Sequence, residues 1–328
     1  MISFYGKNIN SIYLNALLFA INSNCSVTNS RSGSVYDLGQ AYFEFNQPNN
    51  QILLLRNRKF NPYFAVVESA WVLSGNNKLE ELEKIISGYD QFSDDGSVLN
   101  GAYGYRMRSF FKEIDQLEAL ITLLIDNPNT RRAVITLYAP EDILNNESLD
   151  IPCNTTLYFK IRNGKLDITV INRSNDIFLG IPYNVFLFSV VLRYVAHRIN
   201  VSIGVQRHFT DCLHLYEKHI DKVNEIIASN TIEEINTWQD KLNNSEEIFK
   251  GIISNYNEIT TLDIKNITNS YVQEVLNNYL NYKTNNNISF LVSTLPKDVF
   301  GLSAYLWVSS LSSYKINNDD FFEEGKLL

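Results

Sequence analysis

A cysteine stands between a proline and an asparagine in the stretch Ile151-Pro152-Cys153-Asn154, and neither neighbour is typical of an apolar core. A cysteine reacts as the thiolate, so its free pKa of about 8.5 must be lowered by a nearby cation or by hydrogen-bond donors. Arg173 and Ser174 follow a predicted hairpin that begins at Cys153, and this hairpin would return them to the thiol. Cys153 is therefore a candidate nucleophile, and an inert buried thiol is the alternative.

A second candidate stretch is Asn172-Arg173-Ser174-Asn175-Asp176-Ile177-Phe178-Leu179-Gly180-Ile181-Pro182-Tyr183-Asn184. Arginine and serine side chains can hold a phosphate, and an asparagine amide can pair with the edge of a base. A solvated loop is the alternative, but the Ile-Phe-Leu run and the Gly-Ile-Pro corner argue against full exposure. The stretch therefore predicts a nucleotide-binding segment between a strand and a buried helix.

Three further groups of residues could contribute to such a site. His214 and Tyr216 are two positions apart and would face the same side of a strand. Glu68 lies in an apolar helical segment, where a carboxylate needs a partner or a function. Arg131 and Arg132 follow a predicted helix; a solvated pair is the ordinary interpretation, and a phosphate site is the alternative.

Both helices and strands are predicted around these residues. Apolar residues recur at helical spacing in residues 9–22, 62–74, 114–126, 183–199, 220–229 and 270–283. Strand patterns occupy residues 35–45, 133–138, 156–161 and 166–172, and Asn163-Gly164 between the last two indicates a hairpin. Since strands and helices are mixed without strict alternation, we predict an α+β fold.

The composition changes after His219, where a stretch rich in Asn, Ile, Glu and Lys begins. We therefore predict a catalytic domain in residues 1–220 and an enlarged, mostly helical C-terminal region in residues 221–328. The pattern leaves open whether this region packs on the same domain.

The overall composition argues against several classes of protein. A chain of 328 residues, 45% of them hydrophobic, can bury a sizeable core. Its net charge of −8 argues against sequence-independent binding to nucleic acid. The longest apolar run, residues 185–192, is too short to span a membrane, and the N-terminus has no signal-peptide pattern. With three cysteines we expect no disulfide framework and a cytoplasmic location, and the histidine spacing predicts no metal site.

Taken together, the motifs resemble those of the thymidylate synthase family over roughly residues 27–220. The Pro-Cys pair, the Arg-Ser-x-Asp-x-x-x-Gly-x-Pro-x-Asn motif and the His-x-Tyr motif occur in the family's order and spacing. Arg31 matches the phosphate loop, Glu68 and Trp71 match a Glu-x-x-Trp helix, and Tyr103-Gly104 matches an active-site Tyr-Gly pair. The resemblance implies a thymidylate synthase-like mixed sheet packed with helices, and a homodimer.

The resemblance also implies a role for each residue. Cys153 would add to C6 of a pyrimidine nucleoside monophosphate, so that C5 attacks the methylene carbon of the co-substrate 5,10-methylenetetrahydrofolate. Glu68 would move protons at the base and the folate, and Tyr103 would help to remove the C5 proton. The other implied roles are phosphate binding by Arg31, Arg173, Ser174 and, from the other subunit, Arg131 and Arg132; sugar binding by His214 and Tyr216; base recognition by Asn184 with Asn154 and Asn172; and folate binding by Asp176, Trp71, Tyr89 and Gly180.

Several positions depart from the synthase pattern. Asn154 replaces the histidine that follows the synthase cysteine, and Asn172 replaces a glutamine. Tyr89 stands where a synthase tryptophan shields the methylene intermediate, and residues 321–328 differ from the tail that closes over the folate. The string Arg173-Ser174-Asn175-Asp176, and Leu213 just before His214, are similar to those of phage deoxycytidylate hydroxymethylases. Together these features favour water over hydride in the last step. We therefore expect a 5-hydroxymethyl product, with a divergent thymidylate synthase as the alternative.

The identity of the base stays open at this point. The Asn184 amide can match uracil in one orientation and cytosine when flipped, so CMP, dCMP and dUMP are all candidates, with cytosine narrowly preferred. A non-catalytic nucleotide-binding relative is less favoured, because it would have no need of Cys153, Glu68, Tyr103 and His214 together. A hydrolase that uses Cys153 and His214 would need an oxyanion hole and an orienting third residue, which the sequence does not show.

Overall fold

The computed structural model describes residues 1–48, 51–112, 114–242 and 246–311. Within these ranges the strands are β1 (Ile2–Gly6), β2 (Val27–Ser30), β3 (Gly33–Phe45), β4 (Val134–Thr136), β5 (Asn154–Arg162), β6 (Lys165–Asn172), β7 (Asn175–Asp176) and β8 (Ser202–Tyr216). The helices are α1 (Ile9–Asn22), α2 (Pro62–Ser74), α3 (Leu79–Glu83), α4 (Tyr103–Arg108), α5 (Gln116–Asp126), α6 (Gly180–Arg198), α7 (Ile220–Ser229), α8 (Ile232–Lys241), α9 (Glu246–Thr261), α10 (Ser270–Asn285), α11 (Ile288–Ser293) and α12 (Val299–Leu311).

The strands form one mixed sheet in the order β1-β3-β8-β6-β5-β4, with β2 added to β3 and β7 to β8. The long strand β8 pairs with β3 in antiparallel and with β6 in parallel orientation. Along β3 buried residues such as Phe43 alternate with half-buried ones such as Tyr42, so one face of the sheet packs against the helices. The buried helix α6 lies on this face against β6 and β8. The predicted α+β class is confirmed.

The β5–β6 hairpin is the element that builds the candidate site. Its turn residues Asn163 and Gly164 have φ values of 51° and 72°, which is the left-handed conformation that a two-residue type I′ turn requires. The hairpin register pairs Asn154 with Asn172. Because Cys153 precedes the first strand and Arg173 follows the second, the two residues lie side by side.

Most predicted elements are present, with changes at their ends. The helix predicted over residues 114–126 begins at Gln116, because the Asp115 carboxylate caps it by accepting from the Glu118 amide at 3.0 Å. The strand predicted over residues 133–138 is regular only in β4. Residues 52–55 are buried without regular secondary structure. Among the described residues, no helix combines the length and the apolar character that a membrane span requires.

The helices that follow β8 pack onto the same core as the rest of the chain. Helix α9 lies against α2, α7 lies against α1, and α12 also contacts α2. In α10 the ring of Tyr279 stacks on Tyr63 of α2, with centroids 4.2 Å apart. One cluster of buried apolar side chains runs from Ile9 to Val308. The division of the chain near residue 220 stays a prediction.

Candidate active site

The candidate nucleophile Cys153 is held by the backbone and side chain of Arg173. The Arg173 amide donates to the Cys153 carbonyl at 2.9 Å. Its guanidinium donates to the carbonyls of Pro152 at 3.0 Å and Ile151 at 2.9 Å, and its Nη2 lies 3.7 Å from Cys153 Sγ. The structure therefore brings together the cation and the thiol that the hairpin predicts as neighbours.

The pKa of the Cys153 thiol is set by opposing influences. Burial raises this pKa above its usual value, the positive charges of Arg173 and Arg31 lower it, and the Asp150 carboxylate raises it. Burial is the largest of these causes, so the free protein holds Cys153 mainly as the thiol at neutral pH. A nucleophilic role for Cys153 would require the thiol to lose its proton to a neighbouring group as it attacks.

Glu68 projects from α2 into the same cluster. Burial raises the pKa of its carboxyl to about 7, and a hydrogen bond from the Tyr89 hydroxyl, 3.2 Å from Oε1, acts in the opposite direction. A carboxyl group with this pKa can both take up and release protons near neutral pH. The sequence predicts that a carboxylate in an apolar helix has a partner or a function, and proton exchange is such a function.

Tyr103 begins α4 and lies close to Cys153 and Asn154. Burial and the Cys153 charge raise the pKa of its hydroxyl, and hydrogen bonds with Asn154 oppose this rise. The position of α4 depends on Gly104, because a Cβ there would lie 2.2 Å from the Val72 carbonyl oxygen. Gly104 thus allows α4 to pack directly on α2 and places Tyr103 beside the thiol.

Four asparagine amides form a hydrogen-bonded chain beneath the thiol. Asn172 Nδ2 donates to Asn154 Oδ1, Asn154 Nδ2 lies 3.5 Å from Asn184 Oδ1, and Asn184 Nδ2 donates to Asn175 Oδ1 at 3.3 Å. The ends of the chain, Asn172 Oδ1 and Asn175 Nδ2, are buried and have no hydrogen-bond partner among the described residues. The orientation of the Asn184 amide therefore depends on its three neighbours.

The residues predicted to bind phosphate and sugar surround this cluster. Arg31, in the turn between β2 and β3, donates to the carbonyls of Ser148 at 2.9 Å and Leu149 at 2.8 Å. Ser174 Oγ lies 3.3 Å from His214 Nδ1. The rings of His214 and Tyr216 are 5.3 Å apart on one side of β8, as their spacing predicts. Polar groups suited to a nucleotide thus line the approach to Cys153.

Asp176 and Gly180 lie where β7 passes into α6. Asp176 Oδ1 accepts from the amides of Phe178 at 2.7 Å and Leu179 at 3.1 Å, and its buried Oδ2 has no partner among the described residues. This free oxygen can accept from a ligand N–H group. At Gly180 a Cβ would lie 2.4 Å from Asn175 Oδ1, so this glycine makes room for the amide chain.

Other predicted site residues lie away from this cluster. Trp71 is buried in the core, where its Nε1 donates to the Lys78 carbonyl at 3.0 Å. Arg131 and Arg132 are exposed ahead of β4; the backbone bond from Phe159 to Ala133 places them roughly 20 Å along the sheet from Cys153. Their predicted role in a partner's site, and the folate role of Trp71, remain predictions. Residues 321–328 lie outside the described residues.

Two residues at the site have no role in the sequence-based account. Asn175 could have been noticed as an amide inside the Arg-Ser-x-Asp motif. Asp150 accepts from the Gly101 amide at 2.7 Å, and burial raises the pKa of its carboxyl to about 6. Its position three residues before Cys153 could have indicated from the sequence that Asp150 lies near the thiol.

Comparison with known proteins decides the family. The thymidylate synthase family profile matches residues 11–268. The chain belongs to the thymidylate synthase family. The match extends at both ends beyond the motif-bearing residues 27–220, and it crosses the predicted domain boundary. Helices α10, α11 and α12 lie after it.

Within the thymidylate synthase family, curated relatives include three phage proteins named deoxyuridylate hydroxymethyltransferase. The protein of Bacillus phage SP01 is 35% identical over 227 residues, covering 66% of this chain and 59% of the relative. That of Pseudomonas phage M6 is 36% identical over 197 residues, covering 59% and 56%. That of Delftia phage PhiW-14 is 32% identical over 211 residues, covering 61% and 58%. The chain thus matches somewhat more than half the length of each relative.

Proposed function

We propose that this protein transfers a one-carbon unit to C5 of dUMP and releases the 5-hydroxymethyl nucleotide. The observation that carries the proposal is the Cys153 thiol beside the Arg173 guanidinium and Tyr103, with the proton-exchanging Glu68 carboxyl in the same cluster. The names of the phage relatives support uracil over the cytosine that the sequence narrowly favours. They also support hydroxymethylation over methylation.

Separate groups bind the phosphate, the sugar and the base of the nucleotide. Arg31, Arg173 and Ser174 bind its phosphate, since guanidinium and hydroxyl groups are strong donors to phosphate oxygens. His214 and Tyr216 bind the sugar hydroxyl. The Asn184 amide pairs with the O4 and N3–H groups of uracil, and the Asn154–Asn175 chain orients it.

Covalent attachment activates C5 of the ring. Cys153 Sγ forms a bond to C6, and the electrons of the C5–C6 double bond move toward the C4 oxygen. Glu68 supplies or withdraws the proton at that oxygen, a task that suits its pKa of about 7. Tyr103, beside the thiol, assists removal of the C5 proton. The folate co-substrate supplies the carbon at the oxidation level of formaldehyde.

The pterin ring of this folate fits the free oxygen of Asp176. Asp176 Oδ2 is buried without a partner among the described residues. An unpaired buried carboxylate oxygen is costly, and an N–H donor from a bound pterin relieves that cost. Asp176 is therefore the residue that holds and orients the folate beside the uracil ring.

The protein acts as a homodimer in which Arg131 and Arg132 bind the phosphate in the partner's site. Both side chains are exposed and far from their own Cys153, so only a second subunit can bring them to a nucleotide. Mixing an Arg131→Ala/Arg132→Ala protein with a Cys153→Ala protein should restore about a quarter of the wild-type activity, because half of the dimers then carry one intact site. No recovery after proven subunit exchange would exclude the shared site.

Release of tritium from C5-labelled dUMP tests the activation of C5. With methylenetetrahydrofolate present, the wild type should release tritium, and Cys153→Ser should do so at least about 1,000-fold more slowly, because its hydroxyl is a far weaker nucleophile. The Cys25→Ser variant is the matched control. Release that is unaffected in the Cys153 variant, or absent in the wild type, contradicts the proposal.

A further inference from the structure

The Tyr89 hydroxyl is the group in direct contact with the Glu68 carboxyl. The two are 3.2 Å apart, and the Tyr89 ring packs 5.7 Å from Phe64, one turn before Glu68 on α2. A second ring contact joins Tyr89 to Phe92, with centroids 5.4 Å apart. The phenol is therefore packed against two aromatic rings with its oxygen at the carboxylate.

We propose that Tyr89 is a positioning residue for the water that completes the reaction, and that α10 holds the Tyr89 segment in place for this task. The inference rests on the proposed function, whose last step requires one ordered water molecule. A phenol that donates its proton to Glu68 still has a lone pair, which can accept a hydrogen bond from that water.

The step is balanced without an oxidant or a reductant. After tetrahydrofolate leaves, the nucleotide carries an exocyclic methylene at C5 and remains bonded to Cys153 at C6. The water oxygen forms a bond to the methylene carbon, and its proton passes to the Glu68 carboxylate. The displaced electrons move onto the C4 oxygen and then reform the C5–C6 double bond, which breaks the Sγ–C6 bond and frees the thiolate.

The electrostatics at Tyr89 suit this role. Burial and the neighbouring Glu68 charge raise the pKa of the Tyr89 hydroxyl well above its usual value, so the group remains a neutral donor. The other titratable groups that face Glu68 are Tyr103 of α4 and Tyr183 of α6, both also with raised pKa values. All three are neutral phenols, and no cation from the described residues offsets the burial of Glu68, which therefore takes up a proton readily near pH 7.

Helix α10 supports the chain segment from Ile85 to Tyr89, called here the Tyr89 segment. The Tyr279 hydroxyl and the Lys283 ammonium both donate to the carbonyl of Ile85, at 3.4 and 3.3 Å. Ile85 is four residues before Tyr89, and the intervening Gly88 has a left-handed φ of 81°. The two donors of this brace, Tyr279 and Lys283, lie after residue 268, where the match to the thymidylate synthase family ends. The C-terminal region thus contributes to the site through Ile85.

Single-turnover kinetics of Tyr89→Phe tests the inference. With enzyme in excess over labelled dUMP, the rate of hydroxymethyl product formation relative to the rate of tritium release should fall at least about tenfold from its wild-type value. The pH at which the rate of product formation rises should also shift to a higher value, because Glu68 loses the hydrogen bond that lowers its pKa. Tyr256→Phe, which removes a hydroxyl from an α9 ring that packs on Tyr194, is the matched control and should behave as the wild type.

Tyr279→Phe tests the brace while leaving the stack on Tyr63 in place. It should show the same separation of tritium release from product, at an intermediate size, with a thermal unfolding curve confirming that it is folded. In Tyr89→Phe, equal slowing of both steps, or no slowing of either, would overturn the inference. The proposed function would still stand in that case if the wild-type protein releases tritium. A wild type that releases no tritium overturns both.

Discussion

At the scale of single residues, Glu68 shows most clearly how position changes chemistry. A carboxyl group on an exposed helix would be ionised throughout the physiological range, with a pKa near 4.3. On α2, burial raises its pKa to about 7, because the packed surroundings disfavour the charge. Burial of this carboxyl lowers the stability of the folded protein at neutral pH, and it produces a group that can exchange protons there.

This cost should be measurable as a pH-dependent free energy of unfolding. The unfolded chain releases the Glu68 proton near pH 4.5 and the folded chain near pH 7, so the contribution of this group to stability is present below pH 4.5 and is lost as the pH rises to 7. Glu68→Gln should therefore gain about 3 kcal/mol relative to the wild type between pH 4 and pH 8. Urea unfolding at several pH values measures this gain, and a constant difference would contradict it.

The direction of the amide chain should determine the base preference. A carboxylate only accepts, so Asn175→Asp keeps Asn184 Nδ2 donating to position 175, whereas Asn172→Asp forces Asn154, and with it Asn184, to turn over. Uracil and cytosine present exchanged donors and acceptors at C4 and N3. We expect the ratio of kcat/KM for dUMP to that for dCMP to fall about tenfold in Asn172→Asp and to stay near the wild-type value in Asn175→Asp.

The two aspartate variants are matched controls for each other, because each adds one carboxylate to the same buried chain. A ratio that moves in the same direction in both variants, or in neither, would show that the chain does not orient Asn184. Steady-state kinetics with the two nucleotides provides the measurement.

At the scale of elements, the close packing of α4 on α2 holds Tyr103 at the thiol. Gly104→Ala would place a methyl group 2.2 Å from the Val72 carbonyl oxygen, so the two helices must separate. We expect a loss of about 3 kcal/mol in stability and about a tenfold fall in kcat as Tyr103 moves. Ser109→Ala, at the exposed end of α4, is the control. Urea unfolding and steady-state kinetics would show the effect, and a Gly104→Ala protein with wild-type kcat would exclude this role.

The site elements that could be predicted from sequence are those governed by local rules. The Asn163-Gly164 turn favours a two-residue hairpin, and this hairpin, with a one-residue register shift between Asn154 and Thr156, brings Arg173 to Cys153. The period of two along β8 likewise places His214 beside Tyr216. Where a short segment has one favoured conformation, its chemistry can be inferred before the fold is known.

The contacts that could not be predicted join segments far apart in the chain. The Tyr89 hydroxyl reaches Glu68 through a loop, and its length and direction have no sequence period. Asn175 receives the Asn184 amide only because α6 turns back over β7. The burial of residues 52–55 without regular structure has the same origin, since tertiary packing, not local pattern, determines it.

At the scale of the whole molecule, the helices after β8 share one apolar core with the elements that carry the candidate site. They pack on α1 and α2, and α10 reaches the carbonyl of Ile85 just before Tyr89. The family match ends at residue 268, so this last support belongs to the part of the chain in which the thymidylate synthase pattern is no longer recognised. In the proposed reaction, the Tyr89 hydroxyl, supported by these helices, would favour water as the final nucleophile.

Product analysis distinguishes water from hydride as the species that completes the reaction. The wild-type protein would be incubated with methylenetetrahydrofolate and dUMP, and in parallel with dCMP, CMP and UMP, and the nucleotide and folate products would be identified by mass spectrometry. We expect 5-hydroxymethyl-dUMP together with tetrahydrofolate. A 5-methyl nucleotide together with dihydrofolate would contradict it and would show that hydride, not water, completes the reaction.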